Sequence, residues 1–186
     1  MPLAPIRAEL CRWSPQQVVT DSRHTGLPFG VLRTINNMAA MTKSLCRDAP
    51  AIVRQLGIQG VVADQAESAG ALVAEHCGLP FVTVAAALPN NREPAIPPPV
   101  LDWDYDPSEK GLKRNRGGVM VAGWLTGSLE RTIAREAQRL GCAPKRTQSD
   151  CLSPLADISQ IVGGLDFPRD ELPAHFHYVG PLRRTT

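Results

Sequence analysis

Asp64 is the residue best placed to do acid–base chemistry. It closes an apolar run, Ile58-Gln59-Gly60-Val61-Val62-Ala63, and opens a stretch that reads as helix from Ala66 to Cys77. A short apolar run of this kind predicts a buried strand, and open parallel sheets bind ligands at the carboxyl ends of their strands. The spacing Asp64-Gln65-Ala66-Glu67 also fits a loose capping box, with Asp64 as N-cap and Glu67 at N3. On these residues alone the cap is the better account of Asp64, although one oxygen can cap while the other faces a cleft. Gln65 and Glu67 share that strand end. The polar run Asn90-Asn91-Arg92-Glu93 follows a second apolar strand at the same sheet edge. Gln65, Glu67, Asn91, Arg92 and Glu93 are therefore the candidates for lining a substrate mouth, against the plainer reading of a solvated loop.

The remaining reactive side chains make a weaker case. His76 ends a helix, where it complements the carbonyl end of the dipole. His175 and His177 flank Phe176 at strand spacing without a companion ligand set, so strand surface is the better reading and no metal site is expected. His24 lies in a loop. Five cysteines, at 11, 46, 77, 142 and 151, form no CxxC pair, which suits free thiols in a reducing cytoplasm. No GxGxxG, GxxxxGK[ST] or GxSxG occurs, so the usual dinucleotide, nucleoside-triphosphate and hydrolase signatures are missing and no cofactor is expected.

The elements that must position these groups read as α/β. Apolar positions from Val31 to Leu56 recur every three or four residues and predict a long amphipathic helix, broken near Asp48–Ala49 by Pro50. Strand, helix and strand then follow within 30 residues, closing with Phe81-Val82-Thr83-Val84-Ala85. Both strands are apolar throughout, as in a βαβ unit of a parallel sheet. Residues 89–107 are proline-rich and predict an extended loop. A helix is expected over residues 119–140 with Leu125, Leu129, Ile133, Ala137 and Leu140 on one face, a strand near Ile158–Val162, and a late strand in the tail. Residues 1–30 read as irregular.

A chain of 186 residues suits one domain, and 43% hydrophobic content is enough for a core. The net charge of +2 argues against a nucleic-acid surface, and Lys113, Arg114 and Arg116 read as a short solvated turn. No run is long and unbroken enough for a membrane span, and the N-terminus lacks the pattern of a signal peptide. The expected location is cytoplasmic, with peripheral membrane contact left open.

Beyond these generic patterns, residues 61–70 (VVADQAESAG) and 74–84 (AEHCGLPFVTV) resemble the family of bacterial carotenoid and macrolide-type UDP-glycosyltransferases. Residues 87–94 (ALPNNREP), the prolines 97–99, residues 165–169 (LDFPR) and residues 177–182 (HYVGPL) extend the likeness over most of the chain from about Gly26. The resemblance implies an incomplete Rossmann-like parallel sheet with flanking helices, the acceptor-side half of a two-domain GT-B glycosyltransferase. On that reading residues 1–182 are a partial acceptor-binding domain and residues 183–186 begin the interdomain linker. The C-terminal donor domain, which would bind the UDP-sugar, is absent.

In that family a histidine base removes a proton from the acceptor hydroxyl, and an aspartate orients the histidine. Asp64 matches that aspartate in position, which adds the role of dyad partner to that of cap. The glycine–histidine loop that would carry the base has no match here. The function implied is that of a fragment of an inverting transferase acting on an apolar hydroxylated acceptor such as a carotenoid, terpenoid or polyketide. It is expected to be inactive without the donor domain or a split partner. The alternative is a non-catalytic module that binds an apolar ligand or activates a separate transferase.

Overall fold

The computed structural model describes residues 29–98 and 101–182. Most of the expected irregular N-terminal stretch, with Cys11 and His24, and the expected linker start at residues 183–186 lie outside the described residues. The elements in chain order are α1 (Phe29–Gln55), β1 (Val61–Asp64), α2 (Ala69–His76), β2 (Phe81–Ala85), α3 (Glu109–Leu140), β3 (Asp157–Ser159) and β4 (Phe176–Tyr178). Short 3-10 turns occupy Ser149–Cys151 and Gly163–Leu165.

The four strands form one parallel sheet in the order β1-β2-β3-β4. In register, Ala63 lies beside Thr83, Thr83 beside Asp157, and Ala85 beside Ser159. Each connection advances one strand in the same direction, so right-handed crossovers carry their helices to one side of the sheet. Burial follows that rule. Ala63, Thr83, Ala85, Asp157 and Ser159 are buried on the helix side, whereas Val82, Val84 and Ile158 on the other side are only half-buried and Val62 is 73% exposed.

The core is the contact of the three helices. Ile35, Ala39 and Cys46 of α1 meet Leu72 of α2 and Leu129, Ile133, Ala137 and Leu140 of α3. Gly70 lets α2 lie against β1, since a Cβ there would stand 2.7 Å from the Ala63 Cβ. Gly78 and Gly141, with φ of 67° and 73°, close α2 and α3 in the left-handed conformation that glycine tolerates. The α2 and α3 ends are tied by His76, whose Nδ1 lies 2.7 Å from the Leu140 carbonyl and whose Nε2 lies 2.8 Å from Arg54 Nη2. A carbonyl only accepts and a guanidinium only donates, so His76 is held with its proton on Nδ1.

Three expectations change. First, α1 runs unbroken through Pro50. Its buried face is Ile35, Ala39, Thr42, Cys46 and Pro50, while Leu45 and Leu56 are exposed. Packing against α2 and α3 offsets the cost of about 3 kcal/mol for an interior proline. Second, the helix expected from residue 119 begins at Glu109, so Lys113, Arg114 and Arg116 are helical and not a turn, and the Gly117-Gly118 pair lies inside the helix. The Ser108 hydroxyl accepts the Gly111 N–H at 3.2 Å and caps this start. Gly118 is required because a Cβ there would lie 2.5 Å from the Trp103 ring. Third, the capping box at Asp64 is rearranged. Residues 65–68 form a turn and α2 starts only at Ala69. Asp64 Oδ1 accepts the Ala66 N–H at 2.8 Å, and Glu67 Oε1 accepts the Ala69 N–H at 3.0 Å.

Candidate functional site

Two helices far apart in sequence build a cavity of about 650 Å3. From α1 come Val31, Thr34, Ile35 and Met38; from α3 come Val119, Ala122, Thr126, Leu129, Glu130 and Ile133. The loop after β2 closes one side with Pro89 to Glu93 and Ile96 to Pro98, and Ala66, Gln148 and Ser149 complete the wall near the β1 end. The lining is chiefly aliphatic, with polar groups at a few points, which is the composition of a site for a largely apolar small molecule. On α3 the Thr126 hydroxyl lies 2.9 Å from both the Ala122 carbonyl and Glu130 Oε1. Glu130 thus presents a carboxylate at a mostly apolar wall, able to accept a hydrogen bond from a ligand hydroxyl.

The loop wall is braced from behind. The Arg169 side chain is almost wholly buried. Its Nε donates to Asp166 Oδ2 at 2.7 Å, Nη1 to the Asn91 carbonyl at 2.7 Å and Nη2 to the Pro89 carbonyl at 3.0 Å. Glu93 Oε1 stands 3.7 Å from the same guanidinium, while Glu93 Oε2 accepts the N–H groups of Asp170 and Glu171 at 2.9 and 3.2 Å. Tyr178 donates to Asp166 Oδ2 at 2.6 Å. Burial, reinforced by that bond to a carboxylate, pushes the Tyr178 hydroxyl up to about 12. Next to this cluster Asp157 is 1% exposed. Desolvation raises its pKa above the ordinary aspartate value, opposed by the Asn91 amide and the charges of His175 and Arg169.

The candidates from sequence separate into two groups. Asn91, Arg92 and Glu93 line the cavity. Gln65 and Glu67 are not among its lining residues; both polar atoms of the Gln65 side chain and one oxygen of Glu67 are engaged elsewhere, while Glu67 Oε2 is buried without a partner among the described residues. Gln65 donates to the Leu88 carbonyl at 2.8 Å and accepts the Asn90 N–H at 2.9 Å, joining the β1 and β2 ends. Glu67 accepts from the Thr42 hydroxyl at 2.7 Å as well as from Ala69, and its pKa is raised by burial despite those two bonds. Asp64 is exposed at the end of β1, with Oδ1 in the turn bond to Ala66, a cavity residue. His175 is half-buried and His177 exposed on β4. The four described cysteines are free thiols. Burial pushes Cys46 and Cys151 up to about 12 and about 11, so neither is a reactive thiolate.

Sequence reasoning missed the α1 and α3 contributions. Thr126 and Glu130 stand four residues apart on one helix face, a spacing that marks a polar pair, but the apolar stripe dominates the pattern of that helix.

No protein-family profile matches the chain. It is 48% identical over 160 residues to a zeaxanthin glucosyltransferase of Pantoea ananas, a match covering 85% of this chain and 37% of that protein. It is 46% identical over 153 residues to a zeaxanthin glucosyltransferase of Pseudescherichia vulneris, covering 82% and 37%. The α/β architecture, with its parallel open sheet and flanking helices, agrees with part of a Rossmann-like glycosyltransferase domain. The chain is therefore a homologue of the bacterial zeaxanthin glucosyltransferases, and the shared stretch spans little more than a third of their length.

Proposed function

We propose that this chain is the acceptor-binding part, residues 1–182, of an inverting UDP-sugar-dependent glycosyltransferase, and that the cavity between α1 and α3 receives the acceptor. The observation that carries this reading is the cavity itself: large, aliphatic, and set beside the β1 and β2 carboxyl ends in a homologue of enzymes named for glucosylating a carotenoid. The acceptor is an apolar molecule bearing a hydroxyl, in the class of carotenoids, terpenoids and polyketides. Its hydrocarbon body lies against Ile35, Met38, Leu129 and Ile133, while Glu130 and the loop of Asn91 and Arg92 hold polar ends.

In the reaction, a histidine base takes the hydroxyl proton and the oxygen attacks the anomeric carbon. The bond to the diphosphate breaks on the opposite face, so the configuration inverts. Asp64 accepts a hydrogen bond from the histidine and stabilises its charged form. No described histidine is assigned as the base. The UDP-sugar site and the linker following residue 182 belong to the part of the relatives' length outside the shared stretch, and the setting is cytoplasmic.

A second reading keeps the ligand and drops the chemistry: a module that binds the apolar molecule or activates a separate transferase. Its support is the chiefly aliphatic lining of the cavity, which suits an apolar ligand.

Titration of the chain with a hydroxylated apolar acceptor tests the cavity assignment, with Ala122→Phe as the filled-cavity control. Saturable binding weakened at least about tenfold by Ala122→Phe, at unchanged melting temperature, is the expected result. Equal binding by both proteins would place the ligand elsewhere. Transfer to the acceptor by a protein restored to the relatives' length, with UDP-sugar present, separates the enzyme from the module.

A further inference from the structure

We propose that the outer face of α3 docks this chain on an anionic lipid surface. The face opposite the cavity carries Met120 and Trp124, each 79% exposed, with Val121 51% exposed beside them. Met120 and Trp124 stand four residues apart and so form one contiguous apolar window, the kind of exposed patch that marks an interaction site. At 100° per residue they fall on one stripe with Lys113 and Arg116 on the N-terminal side and Arg131 and Arg135 on the C-terminal side, all exposed. Lys110 extends the basic flank by one turn. From Lys113 to Arg131 the stripe runs about 27 Å along the helix axis.

Acidic groups are nearly excluded from it. Glu109 stands at the helix start, Glu130 is turned to the cavity and bonded by Thr126, and Glu136 is buried and paired with Arg139. None of Lys110, Lys113, Arg116, Arg131 or Arg135 forms an ion pair with a described residue.

This basic–apolar–basic order favours lipid over protein. An interfacial helix sinks a tryptophan-bearing window into the acyl boundary while cations on both flanks meet anionic headgroups. Antiparallel pairing of two copies along the stripe would set Lys113 and Arg116 against Arg131 and Arg135, like charge on like. Docked in this way, α3 holds the cavity on its far side, about one helix diameter from the headgroups. Docking of this face asks nothing of the cavity and holds whether or not an acceptor binds there.

Flotation with phosphatidylcholine vesicles, with and without phosphatidylglycerol, tests it on the full chain. The chain is expected to float with the anionic vesicles, to float poorly with the neutral ones, and to be released as salt rises. Met120→Ser with Trp124→Ser, and separately Lys113→Gln with Arg116→Gln, should each lower the bound fraction by about tenfold or more at unchanged circular dichroism. The charge pair removes no apolar side chain and keeps the test valid if the first pair perturbs folding. Equal flotation of wild type and the charge variant overturns the proposal. So does a Met120→Ser, Trp124→Ser protein that turns from oligomer to monomer with its vesicle binding unchanged, which would make the stripe a protein interface.

Discussion

Replacing Arg169 by methionine should destabilise the fold more than any other single side-chain change in the loop wall. The substitution keeps the volume and removes every polar contact of the guanidinium. It strands two carbonyls, those of Pro89 and Asn91, and leaves Asp166 with Tyr178 as its remaining side-chain partner. The side chains of Arg169, Asp166 and Glu93 are 2%, 0% and 4% exposed, so water does not screen the loss. Breaking a buried pair from one side costs roughly 3–5 kcal/mol. For a chain of this size each kcal/mol lowers Tm by about 2–4 °C, so a fall of roughly 6–20 °C is expected.

Thermal unfolding followed by circular dichroism measures it. A double variant, Arg169→Met with Asp166→Asn, should regain part of the loss, because it removes the uncompensated charge. Arg169→Lys should fall between wild type and Arg169→Met, keeping a charge but losing the planar fork that reaches both carbonyls. A Tm within about 2 °C of wild type for Arg169→Met would refute the reasoning, since it would mean that the buried pair contributes nothing net.

Other outcomes follow from single contacts. Gly118→Ala should cost about 1–3 kcal/mol by urea unfolding, because the Trp103 ring lies 2.5 Å from where the new methyl would stand and must be displaced. Asp64→Asn, in a protein restored to the relatives' length, should cut turnover by about a hundredfold or more while Tm changes little. Parallel losses of Tm and turnover would leave Asp64 with its turn bond alone. Asp157→Asn should stabilise the chain more at pH 7 than at pH 4. The folded pKa is raised, so the native state holds its proton longer than the unfolded chain, and stability falls as pH climbs from the unfolded value near 3.9 towards the folded one. Asparagine cannot ionise and escapes that loss, and a pH-independent difference between the two proteins would show that ionisation of Asp157 is not its source.

The parts of the fold that are legible in sequence are those in which neighbours in the chain are neighbours in space. The unit from β1 through α2 to β2 reads closely because apolar runs, Gly78 and short loops set it locally. Periodicity also finds Leu129, Ile133, Ala137 and Leu140 as core positions of α3. It fails where tertiary packing overrides a local signal. Pro50 and the Gly117-Gly118 pair look like breaks, yet both sit inside helices, and at Gly118 the Trp103 ring occupies the space that a side chain would need.

The candidate site shows the same division. Asn91, Arg92 and Glu93 could be named because a polar run after a strand stands out. The opposite wall could not, because it exists only when α1 and α3 lie side by side. The Arg169 brace joins positions about 78 residues apart, and no local pattern announces such a contact.

The one-sided winding of the sheet has a geometric consequence for Asp64. As long as each crossover advances from β1 towards β4, every helix returns to the same face and no crevice opens between divergent connections. Strands added beyond the β1 edge and wound the opposite way would send their helices to the bare face of Val62, Val82 and Val84. Strand order would then reverse between β1 and its new neighbour. In doubly wound sheets that reversal parts the loops on either side and opens a ligand crevice at the carboxyl ends. Asp64, the last residue of β1, would stand at its rim.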